Sequence, residues 1–390
     1  MHTASPDRPL RRTVRPGALL ALVLTVAGGC TQRGCGGAGP SVEALPLAER
    51  RAIPGALAFV SERGGNKDVW LVTPAGEERP LTRGPADEYP AAVRPDGRAL
   101  AIAAAREEKG VHLEQLMLLS LEPGATHEPE PLSRPSARSR APSWGPDGTW
   151  LVAESDATGF SDLVQLRVGS PGEGIAGGST PAPRRLTEVR EGAFEPAVSP
   201  AGKQLAFVSS HEGDPELYVM DLAGGPPRRL TFFHLEDVSP AWSPDGRWLA
   251  FLSNREGRDR VFVVRPDGTD LRAASGAQTH GDERDLAWRP DSRAIAFAER
   301  TSADTTRLWL APLEGGVPTQ LTDGKSRDDS PAWSPDGRYL AFVSSRTGDD
   351  ELFLMRADGS APTQLTHAKG ADWLPRWVLP AQPRVSASSP

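Results

Sequence analysis

The sequence predicts an all-β ring, a β-propeller of seven four-stranded blades in which strands from the two chain ends close one blade; six blades are the alternative. Three observations predict it. An apolar triplet recurs, starting at Leu57, Leu100, Leu151, Leu205, Leu249, Ile295 and Leu340, at intervals of 43 to 54 residues. A tight-turn phrase precedes six of these triplets: Pro-Asp-Gly at Pro95, Pro146, Pro244 and Pro335, Pro-Ala-Gly at Pro200 and Pro-Asp-Ser at Pro290. The Leu57 triplet lacks the turn before it, while Pro375–Pro380 (PRWVLP) matches the segment that elsewhere leads into the turn and lacks a triplet after it. Each end supplies what the other lacks, and repetition at this period is the signature of a propeller.

Composition narrows the function classes. The 40 glycines and 38 prolines make a turn-rich chain, not a disordered one, because charged residues are spread along its 390 positions. The formal charge is −7 and no Lys/Arg stripe follows the leader, which excludes a nucleic-acid partner held by phosphate neutralisation. The two cysteines, Cys30 and Cys35, both precede the repeats, which excludes a disulfide framework or a cysteine zinc site in the folded part.

In chain order, residues 1–29 read as an export signal. Arg8, Arg11, Arg12 and Arg15 form a basic n-region, and Ala18–Ala27 (ALLALVLTVA) is too short for the roughly 20 apolar residues of a permanent span. Val26-Ala27-Gly28-Gly29-Cys30 resembles a bacterial lipobox, although the family's usual Leu is Ala27 here. The resemblance implies lipidation of Cys30, a membrane anchor through that lipid, and, with Thr31 following in place of an aspartate, the periplasmic face of the outer membrane. Residues 30–54, rich in Gly, Ala and Pro, read as a flexible tether, 55–380 as the propeller, and 381–390 as a disordered tail.

Within each repeat four short strands are expected. Strand A carries a Trp (Trp144, Trp242, Trp288, Trp333, Trp377) whose bulk suits packing between blades better than a ligand cage. Pro-Asp-Gly then sets the A-to-B turn: Pro fixes φ, Asp bonds its own backbone and Gly accepts positive φ, which makes Asp96, Asp147, Asp245, Asp291 and Asp336 structural. Strand B is apolar at consecutive positions, as in Leu340-Ala341-Phe342-Val343, so both its faces must be covered. Strands C and D follow, D near a recurring Leu-Thr. The insertions Glu122–Ser139 and Gly169–Pro183 read as long loops of blades 2 and 3.

The phrase Pro-x-Trp-Ser-Pro-Asp-Gly-(x)2-Leu-Ala-Phe-x-Ser-x-Arg-x-Gly, as it stands at Pro331–Gly348, resembles the WD-like propeller repeat of TolB-type periplasmic proteins, over about Gly55–Pro380. The family's namesake carries an α/β domain ahead of six blades, whereas here only about 25 residues separate Cys30 from the first strand and seven copies are visible. The resemblance therefore implies a relative in fold and not TolB itself. It extends to propellers fused to peptidases, but no Gly-x-Ser-x-Gly nucleophile elbow is present.

Alternating strand direction puts the D-to-A and B-to-C loops on one face. An acidic residue lies three positions before the strand A proline or its equivalent, at Asp87, Asp237, Glu283, Asp328 and Asp372, with Ser139 and Ala193 breaking the series. These five are the candidate binding residues of the channel mouth, suited to Ca²⁺ or a basic partner segment, or else to pairing between blades with Arg63, Arg255 and Arg346 of the Ser-x-Arg-x-Gly phrase. His211, His234, His280 and His367 fall in loops of the same face without paired metal-ligand spacing. With no catalytic residue identified, the expected function is a non-enzymatic envelope lipoprotein that binds other envelope proteins. The alternative is a metal-assisted lyase or hydrolase of a polysaccharide or small substrate at the mouth.

Overall fold

The recurring turn folds as its residues dictate. Asp96, Asp147, Asp245, Asp291 and Asp336 each accept, through Oδ1, the backbone N–H two residues on, at 2.9–3.1 Å. The position after them has positive φ, 66–72° at the glycines and 61° at Ser292, which replaces glycine in one copy.

The computed structural model describes residues 43–108, 111–122, 128–133, 138–168 and 182–379. The expected leader, Cys30, the first part of the tether, much of the two insertions and the tail after Leu379 lie outside the described residues. Among those described, seven four-stranded antiparallel sheets form, each in the order A-B-C-D. Blade 5, for example, is built from Asp237–Trp242, Leu249–Ser253, Arg260–Val264 and Arg272–Ala273. Blade 1 takes its strands B, C and D from Ala56–Ser61, Asp68–Val72 and Glu78–Pro80, and its strand A from Asp372–Val378, with Trp377 opposite Leu57. The seven-bladed reading, with both chain ends in one blade, is what the chain adopts.

The core is not central but divided among the seven blade junctions. Seven buried clusters each combine side chains of two successive blades; Phe251 and Phe262 of blade 5 meet Val208 and Val219 of blade 4, and Leu57 and Phe59 of blade 1 meet Val343 and Leu352 of blade 7. Strand B is apolar on both sides because each side faces a different neighbouring blade. A Trp of strand A fixes five of the seven junctions: its Nε1–H donates to the carbonyl of the preceding blade's strand A, Trp144 to Ala92, Trp242 to Ala197, Trp288 to Ala241, Trp333 to Ala287 and Trp377 to Ala332, at 2.9–3.2 Å.

Two features depart from the sequence reading. The segment read as tether through Pro54 is docked from Leu45 onward. Helix α1 (Leu47–Arg51) is flanked by Leu45 and Ile53, both buried between blades 7 and 1, and Glu49 pairs with Arg356 at 2.7 Å and accepts from the Tyr339 hydroxyl at 3.0 Å. Two apolar residues one helix apart suffice to hold so short a segment, and five residues are too few to show helical periodicity. Strand A also carries a bulge in every blade, with a positive φ in six. Ala141, Glu195, Ser239, Asp285, Ser330 and Leu374, the third residue of the strand in each case, lie at φ 48–57°, where the register with strand B shifts.

Candidate functional site at the channel mouth

The mouth face is assembled from the B-to-C and D-to-A loops, as strand alternation requires. Strand A begins where the preceding blade's strand C begins, and backbone bonds join them: Glu88 N–H to Lys67 O, Ala193 to Ser161, Asp237 to Pro215, Glu283 to Asp259 and Asp372 to Asp350, at 2.7–2.9 Å. The Leu-Thr phrase contributes here too. Hydroxyls of Thr82, Thr187, Thr231, Thr322 and Thr366 accept the N–H of strand C residues Val69, Leu163, Leu217, Leu308 and Leu352, at 2.9–3.0 Å.

The five acids open strand A in their blades, but most do not expose their charge. Asp237, Asp328 and Asp372 are fully buried, and Glu283 is 1% exposed. In blades 1, 5 and 7 the carboxylate belongs to a repeated triad. Arg63 reaches Ser61 Oγ through Nε and Asp372 through Nη2; Arg255 joins Ser253 and Asp237, and Arg346 joins Ser344 and Asp328, in the same way, at 2.7–2.8 Å throughout. Each guanidinium also covers two rings of its own blade: Arg63 over Trp70 and Phe59, Arg255 over Phe262 and Phe251, Arg346 over Phe353 and Phe342, at 4.2–5.7 Å. The Ser-x-Arg phrase is thus the lid of a blade, and its acid partner lies within that same blade rather than across a junction.

Glu283 and Asp87 sit differently. Glu283 lies opposite Glu299, accepts the N–H of Val261 and the hydroxyl of Thr279, and burial pushes its carboxyl up from the ordinary range. Burial acts on Glu299 too, but Arg307, the backbone N–H groups of Gly281 and His280, and Trp309 outweigh it and hold that carboxyl at about 2. Asp87 is the one exposed member of the five, 3.4 Å from Lys67 Nζ. Where the preceding strand C also opens with an acid, two carboxyls meet at the junction. Glu351 is pushed up to about 7 by burial, reinforced by the Asp372 carboxylate, and burial raises Glu216 beside Asp237 as well.

Sequence reasoning did not find the charged ring one step deeper, at the strand A bulges. There Glu195 accepts the N–H of Ser239 from the next blade at 2.6 Å, Arg140 pairs with Glu154 at 2.7 Å, and Arg284 bonds Asp329 at 3.2 Å. Asp329 is pushed up to about 6 by burial and by the nearby Asp285 carboxylate. The signal was the polar third residue of strand A, obscured because nothing in the sequence marks a bulge that lacks glycine. His211 lies 3.3 Å from Glu191, and His234, His280 and His367 are exposed. Among the described residues no group of three histidine, cysteine or carboxylate side chains converges as metal ligands. The five acids stand one to a blade.

Comparison with known proteins agrees with this architecture. The TolB beta propeller domain (PD40) matches twice, over residues 179–284 and 272–382, together more than half of the chain. The TolB homologue of Chlorobium luteolum is 27% identical over 208 residues, which are 53% of this chain and 34% of that protein. The chain thus spans about a third of that relative's length. Two solved structures share the fold: TolB of Acinetobacter baumannii (TM-score 0.51, 19% identity, covering 83% of this chain and 66% of that one) and an oligogalacturonate lyase of Vibrio parahaemolyticus (TM-score 0.58, 15% identity, 80% and 88%). With its Trp-anchored blades, Asx turns and Leu-Thr closures matching that domain over most of the second half of the chain, the protein belongs to the TolB beta propeller domain family.

Proposed function

We propose that this protein is a non-enzymatic platform of the periplasm, held to a membrane, with the outer membrane favoured, through a lipid on Cys30, and that its mouth face binds another envelope protein. The observation that carries this reading is how the mouth carboxylates are used. Asp237, Asp328 and Asp372 are locked to Arg255, Arg346 and Arg63, and they hold loops in place rather than presenting a reactive group. A face braced in this way changes shape little on binding, which suits recognition of a folded or segmental partner.

The test has two parts. Membrane fractionation of wild type and Cys30→Ser in a Gram-negative host should place the first in the membrane pellet and the second in the soluble periplasm; a soluble wild-type protein overturns the anchor. Native mass spectrometry with metal analysis on the full mature protein then separates platform from enzyme, because a tightly retained transition metal together with turnover of a polysaccharide would replace the binding reading.

A further inference from the structure

The loop from blade 4 to blade 5 departs from its counterparts. Where counterparts read Arg83-Gly84-Pro85, Glu188-Val189-Arg190, Asp323-Gly324-Lys325 and His367-Ala368-Lys369, this one reads Phe232-Phe233-His234-Leu235, and Phe232 is 73%, Leu235 42% and Phe233 37% exposed. The rings are held rather than loose. Arg229 lies 4.8 Å from the Phe232 centroid and Arg255 5.4 Å from that of Phe233, and both guanidiniums are fixed from behind, Arg229 by Glu212 and Glu216, Arg255 by Asp237. The Phe233 N–H donates to Glu216. Phe160, 49% exposed, stands on the B-to-C loop of blade 3 on the same face. Blade construction requires none of this apolar exposure, and a rigid aromatic pair is the kind of residue that dominates binding energy when a partner buries it.

From this we infer that Phe232, Phe233 and Leu235 anchor a partner protein through a segment that presents apolar side chains flanked by lysine or arginine. The inference rests on the platform reading and assigns it a place and a chemistry. Charge selects the occupant: Asp214, Glu236 and Asp259 are exposed on the loops around the patch with no ion pair among the described residues, while Glu212 pairs with Arg229, Glu256 with Arg260, and Arg255 and Arg258 are bound to groups of this chain. An acidic rim repels a second copy of itself and an anionic lipid surface alike. The segment around α1 docks on the other face, where the Leu45 N–H donates to the Thr363 hydroxyl and Glu49 pairs with Arg356 at the C-to-D turn of blade 7, so it leaves the phenylalanine face uncovered.

A photo-crosslinking phenylalanine analogue at position 232 of the full-length protein in cells tests this, with the same analogue at exposed Val317 on the opposite face and at Lys369 on the far side of the mouth. The expected result is an adduct at 232, absent at 317, whose linked peptide belongs to another protein and carries an apolar residue between basic ones. Phe233→Ser and Glu236→Lys should each lower that adduct at least tenfold while the melting temperature stays within about 2 °C. A lipid adduct, an adduct of the protein's own mass or a linked acidic peptide overturns the inference. An adduct at 369 but not at 232 overturns it and leaves the platform standing; no protein adduct at either mouth position overturns both.

Discussion

A guanidinium held 4.7 Å from the Phe262 centroid, with Nε on Ser253 and Nη2 on Asp237, has the donors of that edge committed within its own blade. Arg255 is in that position, and Arg63 and Arg346 repeat it, so the acids of these triads are expected to act on stability first. Asp237→Asn, Asp328→Asn and Asp372→Asn each keep the side-chain size; the first two leave Arg255 and Arg346 without their counter-charge, at a cost of about 1–3 kcal/mol, and the third costs less because Arg63 keeps its pair with Glu78. Thermal melts should therefore fall by several degrees for the first two variants and by less for the third. An unchanged melt with lost partner binding would return these residues to the binding surface. Glu351 gives the opposite sign. Its folded pKa, about 7, lies above the ordinary 4.5, so its contribution to stability is fullest below about 4.5 and is lost as pH rises through 7. Glu351→Gln keeps an acceptor for Thr366 and removes the buried charge facing Asp372; it is expected to raise the melting temperature at pH 8 and leave it nearly unchanged at pH 4.5, as melts at the two pH values would show.

Among the elements, the turns and the Trp-bearing strands were legible because their chemistry is local. Pro-Asp-Gly specifies its own Asx turn, and a Trp repeating in five of the seven blades is packed against the preceding blade. The mouth acids were legible in position but not in depth: alternation places Asp237 on a face, while the arginine and two rings that cover it come from residues up to 25 positions away, and only their contacts decide that it is 0% exposed. The Phe232-Phe233 pair was open to detection, since no other D-to-A loop carries a Phe, Tyr or Trp directly after its Leu-Thr, but attention to titratable residues picked out only His234 beside it. Helix α1 was missed because its docking depends on two residues, Leu45 and Ile53, with 3% and 5% exposure. That dependence is itself testable. Leu45→Ala is expected to cost about 2–3 kcal/mol locally, and limited proteolysis near Arg50 and Arg51 should then outpace cleavage anywhere in the blades. Equal protection in wild type and variant would mean that the Glu49–Arg356 pair holds the helix alone.

At the scale of the whole molecule, seven blade junctions carry the core and one of them depends on a strand from the far end of the chain. Deleting residues 375–390 removes Trp377 and its bond to Ala332, leaves Ala56, Leu57 and Ala58 as an open edge and bares the Leu57 side of blade 1. The truncated protein is expected to aggregate, measured by light scattering on refolding, whereas deletion of 381–390 alone leaves the pairing intact and should melt like the parent. Identical melts for the two truncations would mean that the ring closes without strand A of blade 1.

The same junction imposes an order on biosynthesis. Strand B of blade 1 is made early and its partner Trp377 some 320 residues later, an interval of about 15–60 s at ordinary synthesis rates of roughly 5–20 residues per second. During that time six blades can stack in sequence, each finding its predecessor already present, while the first has one side uncovered. Because stacking the six blades already brings the chain ends near one another, the final step orders only the closing strand. The ring therefore behaves as a timer: it cannot close before the last strand is released, and until then a translocation machine that needs an unfolded chain, or a chaperone that binds bare β edges, has a defined target at the leading end.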